Sequence, residues 1–509
     1  MRKQAMIVMI LTIVAKAIGF LRDISLSYFY GASELSDAYL ISLTIPGVIF
    51  AFIGTGLSTC YIPIYNDILT KESKEKAVQF TNNLIYIVML CCLIIVLLVF
   101  TFTREIVFLF ASGFSESTIG HAILFTRIGV VSVFFSGLIY VFNSYLQTNN
   151  YFSSTVVAGI PASIFVVFAT ILSGEFDIVY LAIGNSLSFA IQFLFLVPYL
   201  KKSGFRWISY FSLNDKYIKQ VLKLSVPVIL GVSINQINIL VDRTIASHIV
   251  IGGISALTYA NKLNLFIQGI FVLSIASIFY PIISKMAAEQ SINKIKHVLS
   301  ESISIIMLLI IPVTLGSMIF SKEVVSFLFS RGEFDVTALQ MTSSALFFYS
   351  LGMIGFGLRE ILVRVFYAVQ DTKTPTINAS LGLIVNIVLS FIFARFLGVG
   401  GLALATSIAA IITTGLLFIN LRKKIGPFGI KELLVVSIKI LIASLVMAVL
   451  ARLSYITLLN IMSQVSALLL AISIGVGIYC VIISMMKIKD VDKLTRILKI
   501  KFLKGKNNN

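Results

Sequence analysis

Apolar residues fill long stretches of this chain, separated by short polar connections. The stretches lie near residues 5–29, 37–65, 78–103, 119–147, 154–173, 177–200, 220–246, 254–285, 300–320, 336–369, 375–395, 399–421, 433–457 and 465–486. A hydrocarbon layer roughly 30 Å thick needs roughly 20 apolar residues of helix to cross it. The pattern therefore predicts an all-α polytopic membrane protein with about fourteen transmembrane helices. Several stretches exceed the minimum and are expected to tilt or project. The first carries Lys16, lacks a small-residue cleavage site and is followed at once by a second, so it reads as a retained helix rather than a signal peptide.

The polar positions inside these stretches carry the functional information. Lys16, Arg22 and Asp23 lie in or at the end of the first, and Asp37 opens the second. A charge at bilayer depth costs a few kcal/mol, so such residues face a partner or a water-filled cavity. A local Arg22–Asp23 ion pair would account for two of them and leave Lys16, about two turns deeper, alone. A second polar set comprises Asn235, Gln236, Asn238, Asp242 and Arg243, then Asn261 and Lys262, then Arg359, Glu360 and Arg364. The amides of Asn235, Gln236 and Asn238 serve equally well as hydrogen-bonding glue between helices. Arg359 and Glu360 can neutralise each other, while Arg364, Lys439 and Arg452 can snorkel towards the interface.

Three motifs recur at one offset of about 220 residues. Arg104–Phe114 (REIVFLFASGF) returns as Lys322–Phe334 (KEVVSFLFSRGEF), Val141–Asn149 (VFNSYLQTN) as Val365–Lys373 (VFYAVQDTK), and YIPI at Tyr61 as FYPI at Phe279. The offset spans six helices, an even number, so the halves are related by an axis along the membrane normal. This predicts an N-lobe over 1–200, a linker over 201–219, a C-lobe over 220–425, an extra helix pair over 426–488 and a basic tail over 489–509. Paired lobes with charges in their first helices are the build of an alternating-access transporter. Lys16, Arg22 and Lys262, facing one cavity, would select an anion, with phosphate or pyrophosphate the expected kind.

Composition agrees and adds orientation. The 509 residues are 58% hydrophobic and 12% charged, which excludes a soluble domain of this size. Basic residues concentrate in alternate connections, at Lys71–Lys76, Lys201–Lys219, Lys285–Lys296 and Arg422–Lys431 and in the tail, which places both termini in the cytoplasm. The net charge of +18 follows from that bias and from anionic headgroups, so no nucleic-acid partner is expected. Four cysteines without metal-ligand spacing suggest neither disulfides nor zinc, and no Walker motif or nucleophile–base set points to an enzyme.

The motifs GFLRD (Gly19–Asp23), GASELSDAY (Gly31–Tyr39), ISALTYANKL (Ile254–Leu263) and RVFYAVQDTKTP (Arg364–Pro375), in this order, resemble the MurJ/MviN family. Those proteins are bacterial lipid II flippases of the multidrug/oligosaccharidyl-lipid/polysaccharide exporter superfamily. The resemblance covers nearly the whole chain. It implies a multi-pass protein of the cytoplasmic membrane that flips undecaprenyl-pyrophosphate-linked peptidoglycan precursor to the outer leaflet. It also implies a groove for the lipid tail at the last two helices, and contacts with membrane lipids and cell-wall synthesis proteins. By the same resemblance Lys16, Arg22, Asp37 and Lys262 bind the substrate, to which the polar residues Asp23 and Asn261 beside them are added here, and Asp242, Asn386 and Thr406 form a sodium site. Ser390 stands where a second carboxylate is expected, and the membrane potential is the alternative drive. Lys16 and Lys262 replace arginines of many members, which keeps charge but not bidentate phosphate recognition. A further arginine expected after Pro46 is absent, which leaves another undecaprenyl-linked oligosaccharide open as substrate. Efflux of cationic drugs would want a carboxylate-rich cavity, and a scaffold role leaves the intramembrane charges unexplained.

Overall fold

A computed structural model describes residues 2–486, 488 and 491. The described residues form eighteen helices and no strand: α1 (Arg2–Tyr30), α2 (Glu34–Lys71), α3 (Lys74–Thr101), α4 (Thr103–Phe110), α5 (Glu116–Gly129), α6 (Ser132–Thr148), α7 (Phe152–Val157), α8 (Gly159–Glu175), α9 (Val179–Lys202), α10 (Lys216–Ile249), α11 (Gly253–Ala288), α12 (Ile292–Ile319), α13 (Ser321–Phe329), α14 (Val336–Ala368), α15 (Lys373–Leu397), α16 (Val399–Ile425), α17 (Ile430–Leu458) and α18 (Gln464–Met485). Every apolar stretch read from the sequence falls on one of these helices or on a consecutive pair. Among the described residues ten helical stretches are long and apolar enough to cross a bilayer. Two bent pairs, Glu116–Gly129 with Ser132–Thr148 (45°) and Lys216–Val226 with Gly231–Ile249 (53°), raise this to twelve. The basic tail over 489–509 lies outside the described residues, apart from Val491.

Contacts divide the chain into two compact units, Met1–Ala256 with Phe329–Ala338, and Leu257–Leu328 with Leu339–Asn509. In the first unit α2 is the hub and touches α1, α3, α4, α5, α6 and α10. Its lower half contributes Tyr61 and Tyr65 to a buried aromatic cluster, with Tyr61 stacked 5.5 Å from Tyr65 and 5.7 Å from Phe80. The Tyr61 hydroxyl meets that of Thr81 at 2.7 Å, which satisfies both in a dry interior. Packing groups α10 with this unit, whereas the repeat assigns its sequence to the second half. In the second unit α15 pairs with α16 and α17 packs between α12 and α18, over a core of aliphatic residues running from Val272 to Ile483.

The repeat is visible in local backbone geometry. Left-handed residues follow the first, fourth and sixth spans of each half: Gly31 and Gly252, Asn150 and Gln370, Gly204 and Gly426. The turns at Asn150 and Gln370 close identically, Tyr151 N–H on Leu146 O and Asp371 N–H on Phe366 O, each at 2.8 Å. Asp371 then accepts from Lys424 Nζ at 2.6 Å and from Thr374, and these partners hold its carboxyl down at about 2. The short helices α4 and α13, which periodicity did not single out, carry the repeated motif that follows the third span of each half.

The connection from α9 to α10 is held by two wholly buried asparagines of α3. Asn82 accepts from Ile208 N–H at 3.2 Å and donates to Arg206 O at 2.9 Å; Asn83 accepts from Ser212 N–H and donates to Ser212 O, both at 2.9 Å. Trp207 rests edge-on against Phe142 and Phe205. Replacing Asn83 by leucine keeps its bulk and strands those backbone groups, at about 1–3 kcal/mol each. Trypsin is then expected to cut faster at Lys201, Lys202 and Arg206 in detergent, and cleavage at the parental rate would show that other contacts hold the connection.

Candidate functional site

The charged residues of α1 sit near its end. Asp23 is buried, Arg22 is half-buried, and the guanidinium lies 3.7 Å from the carboxylate, so the local ion pair forms. Lys16, about 9 Å earlier along the helix at about 1.5 Å per residue, is exposed and makes no ion pair among the described residues. The buried Tyr39 hydroxyl lacks a hydrogen-bond partner and lies within electrostatic reach of Arg22 and Asp23. All of these residues belong to the first unit. In the second unit Asn261 and Lys262, in the third turn of α11, are half-buried. The arginines of α14 depart from the expectation. Arg364 does not snorkel but reaches back one turn to Glu360 (2.8 Å) and to Ala276 O (3.1 Å), and Arg359 lies over the Phe356 ring instead of pairing with Glu360.

Asp37 occupies the most fully satisfied polar position among these residues. Ser33 caps α2 through a reciprocal pair with Ser36, which sets Asp37 in the first turn. Its carboxylate is buried and accepts Gly252 N–H (2.9 Å), Ser255 N–H (2.7 Å) and the Ser255 hydroxyl, while Ser36 meets the same hydroxyl at 2.8 Å. Asp37 thus supplies from α2 the cap that α11 lacks in its own sequence. A negative charge there also complements the positive end of the α11 dipole.

Around this carboxylate the turns at one end of the first unit interlock. Gly332 lies against the Tyr28 carbonyl and Gly113 against that of Ser247, so closely that a Cβ at either would collide with backbone. Both glycines and both carbonyl residues are 219 positions apart, so the two contacts repeat one another. Glu34 accepts from Thr118 Oγ1 at 2.9 Å, Gly113 N–H donates to Ser247 Oγ at 3.1 Å, and Ser112 meets His248 Nε2 at 2.9 Å. A cavity of about 280 Å³ remains between Glu34, Asp37, Thr118, Ser247 and Ile251. Sequence reasoning missed Glu34, Ser255 and Ser247. The Ser33–Ser36 spacing and the left-handed glycine pair were the signals available.

Of the residues read as an ion site, Asn386 and Thr406 come together, Asn386 Nδ2 donating to Thr406 Oγ1 at 3.0 Å. Asn386 Oδ1 and Ser390 Oγ, one turn apart on α15, are buried without partners. Asp242 belongs to the first unit, where one oxygen meets Asn238 at 3.4 Å and the other is buried and unpaired.

The last two helices also differ from expectation. Arg452 does not snorkel: it pairs with Glu323 of α13 at 2.6 Å, between the rings of Phe320 and Tyr455. Gly475 is buried against Ala451 and Met447 of α17, so it serves close helix packing, whereas Gly477 meets open space.

Asp37→Ala removes the acceptor for two buried N–H groups and is expected to cost about 2–4 kcal/mol, seen as a lower thermal midpoint in detergent. Asp37→Asn keeps one acceptor oxygen and should fall between the two, and equal midpoints for all three proteins would exclude the capping role.

A model of the lipid II flippase MurJ family matches residues 26–502. The probable lipid II flippase MurJ of Vibrio cholerae is 28% identical over 82% of each chain, and lipid II flippase MurJ of Burkholderia cenocepacia is 26% identical over 81% of this chain and 82% of its own. A solved structure of lipid II flippase MurJ in an inward closed conformation superposes with a TM-score of 0.82 at 27% identity, covering 94% of this chain and 98% of the other. An inward-facing multidrug resistance transporter of the MATE family shares the fold at 16% identity and a TM-score of 0.69, over 81% of this chain and 94% of its own. With its match running from the end of α1 through every later helix, the chain belongs to the lipid II flippase MurJ family.

Proposed function

We propose that this chain carries lipid II from the inner to the outer leaflet of the cytoplasmic membrane by alternating access, with the pyrophosphate recognised by cations inside the bundle. The observation that carries this reading is the placement of Lys16 and Arg22 within an apolar helix of a flippase-family chain, where Asp23 balances only one of them. Arg22 offers a planar fork suited to a phosphate oxygen pair, and Lys16 and Lys262 offer point charges. The interlocked turns around Asp37 then form the closed outer end. Opening that end requires the carboxylate to leave the first turn of α11.

The same reading places the basic connections and both termini in the cytoplasm. It makes the chain a transporter without catalytic chemistry of its own. Asn386 Oδ1, Thr406 Oγ1 and Ser390 Oγ, all in the second unit, are neutral oxygens of the kind that hold sodium, two of them buried without partners. Bound there, sodium would add a fixed positive charge, while the side chains of α15 and α16 hold the amide and hydroxyl oxygens in place. The exposed apolar face of α17 and α18 would take the polyprenyl tail, each buried methylene contributing about 0.8 kcal/mol. A second substrate, another undecaprenyl-linked oligosaccharide, is favoured by one observation: no basic residue stands between Pro46 and Gly56.

Rescue of a strain depleted of its lipid II flippase decides between the two substrates. Failure of the parent protein to rescue, despite accumulation in the membrane, would favour the second. Arg22→Ala is expected to accumulate normally and abolish rescue, and normal growth with it would sink the cation argument. Lys262→Arg should support growth where Lys262→Glu does not, because charge sign matters more than fork geometry for a point-charge contact. Gly477→Trp should weaken binding of a long-chain substrate more than of a short-chain analogue with the same headgroup, and equal losses would remove the tail from this face.

A further inference from the structure

The connection between α9 and α10 carries apolar side chains that the protein does not bury. Trp207 is 60% exposed, Phe211 54% and Leu213 56%, whereas Ile208, Tyr210 and Ser212 are half-buried. Asn82 and Asn83 hold this path through main-chain atoms alone, so the outward side chains take no part in fixing it. Apolar groups of this size, gathered on one short segment, mark a surface that something covers.

The segment is drawn back along the helices rather than projecting from their ends. Asn82 stands about 12 Å into α3 from Lys74, and Phe142, on which Trp207 rests, about 9 Å before the end of α6, at about 1.5 Å per residue. Asn82 also shares a face of α3 with Tyr86, Leu90, Leu93 and Leu97, all exposed. The face that the connection crosses is therefore the one that continues into lipid. Tryptophan concentrates at this level of a bilayer, where its ring meets hydrocarbon and its N–H stays wet.

Charge adds a second, independent constraint. Lys201, Lys202 and Arg206 precede Trp207 and are exposed, and Lys74 reaches Gly204, its Nζ 3.7 Å from where a Cβ would stand. Among the nearby carboxylates, Glu75 lies within electrostatic reach of Arg206, Glu72 is paired with Lys216 at 2.7 Å, and Asp215 caps α10. The patch keeps a net positive charge beside its apolar groups.

We infer that the connection between α9 and α10 is an interfacial anchor. Trp207, Phe211 and Leu213 insert at the headgroup boundary, and Lys74, Lys201, Lys202 and Arg206 meet the phosphates of anionic phospholipids. The anchor is independent of which lipid-linked sugar the chain carries. Its assignment to the cytoplasmic leaflet rests on the orientation proposed above, and a bilayer with two identical leaflets tests the anchor without that orientation.

Trp207 is the single tryptophan of the chain, so its fluorescence reports this segment alone. The full-length protein is reconstituted in phosphatidylcholine vesicles with increasing fractions of brominated phosphatidylcholine or brominated phosphatidylglycerol, the bromines near the glycerol end of the acyl chains. Emission is expected to be blue-shifted from that of indole in water, quenched by both brominated lipids and poorly quenched by acrylamide. Brominated phosphatidylglycerol should reach half-quenching at about fivefold lower mole fraction, the ratio that one basic residue near an anionic surface provides. Combining Lys201→Gln, Lys202→Gln and Arg206→Gln should bring the two lipids level at an unchanged emission maximum and thermal midpoint, which separates lost charge from misfolding. Emission like that of free indole, with strong acrylamide quenching and no response to brominated lipid, would overturn the inference and leave the patch to water or a protein partner. Equal quenching by the two lipids in the parent protein, or a preference that survives the three substitutions, would overturn it as well.

Discussion

A helix that starts among other helices brings N–H groups that no carbonyl of its own can reach, and inside a membrane no water reaches them either. At the start of α11 the solution is a carboxylate borrowed from α2, and much of the first unit follows from it. Asp37 can be in place only because Ser33 and Ser36 fix the entry of α2, and α2 is the helix against which most of that unit's other helices pack. One buried charge thereby sets the distance of closest approach between two turns, and the glycines beside it allow the backbones to meet there.

The charges of α1 follow a different logic. Asp23 is close enough to Arg22 to reduce the cost of burying it, but 3.7 Å leaves the pair loose compared with the 2.6 Å contact of Arg452 with Glu323. A loose pair keeps the guanidinium available to a more strongly anionic partner, while the tight one, enclosed by two aromatic rings, is built to stay closed. Geometry thus divides arginines that look alike in sequence into one that can exchange its partner and one that fixes α17 against α13.

Sequence patterning located the helical segments because lipid imposes one requirement, about twenty apolar residues per crossing, on every span. The duplication was legible for a similar reason, since the turns that repeat at Asn150 and Gln370 are built from backbone bonds that their flanking motifs preserve. Bends and pairings were not legible. The 45° break between Gly129 and Ser132 falls inside a stretch read as one span, where a glycine and a serine three residues apart are too common to announce a bend, and Arg364 could equally pair with Glu360 or snorkel until the side chain was placed. In the candidate site, Arg22, Asp23 and Asp37 announced themselves as charges in apolar surroundings. Glu34, Ser247 and Ser255 did not, because a polar residue near a helix end is ordinary until its partners are known.

The asparagines that hold the connection between α9 and α10 touch only its main-chain atoms, through Arg206, Ile208 and Ser212. Recognition of this kind fixes a path while leaving the residues along it largely free. The connection can drift in sequence between relatives, changing charge or bulk on its outward side, and still run in the same place. Asn82 and Asn83, by contrast, have few substitutes, since a side chain that both donates to and accepts from a peptide group at this reach must be an amide.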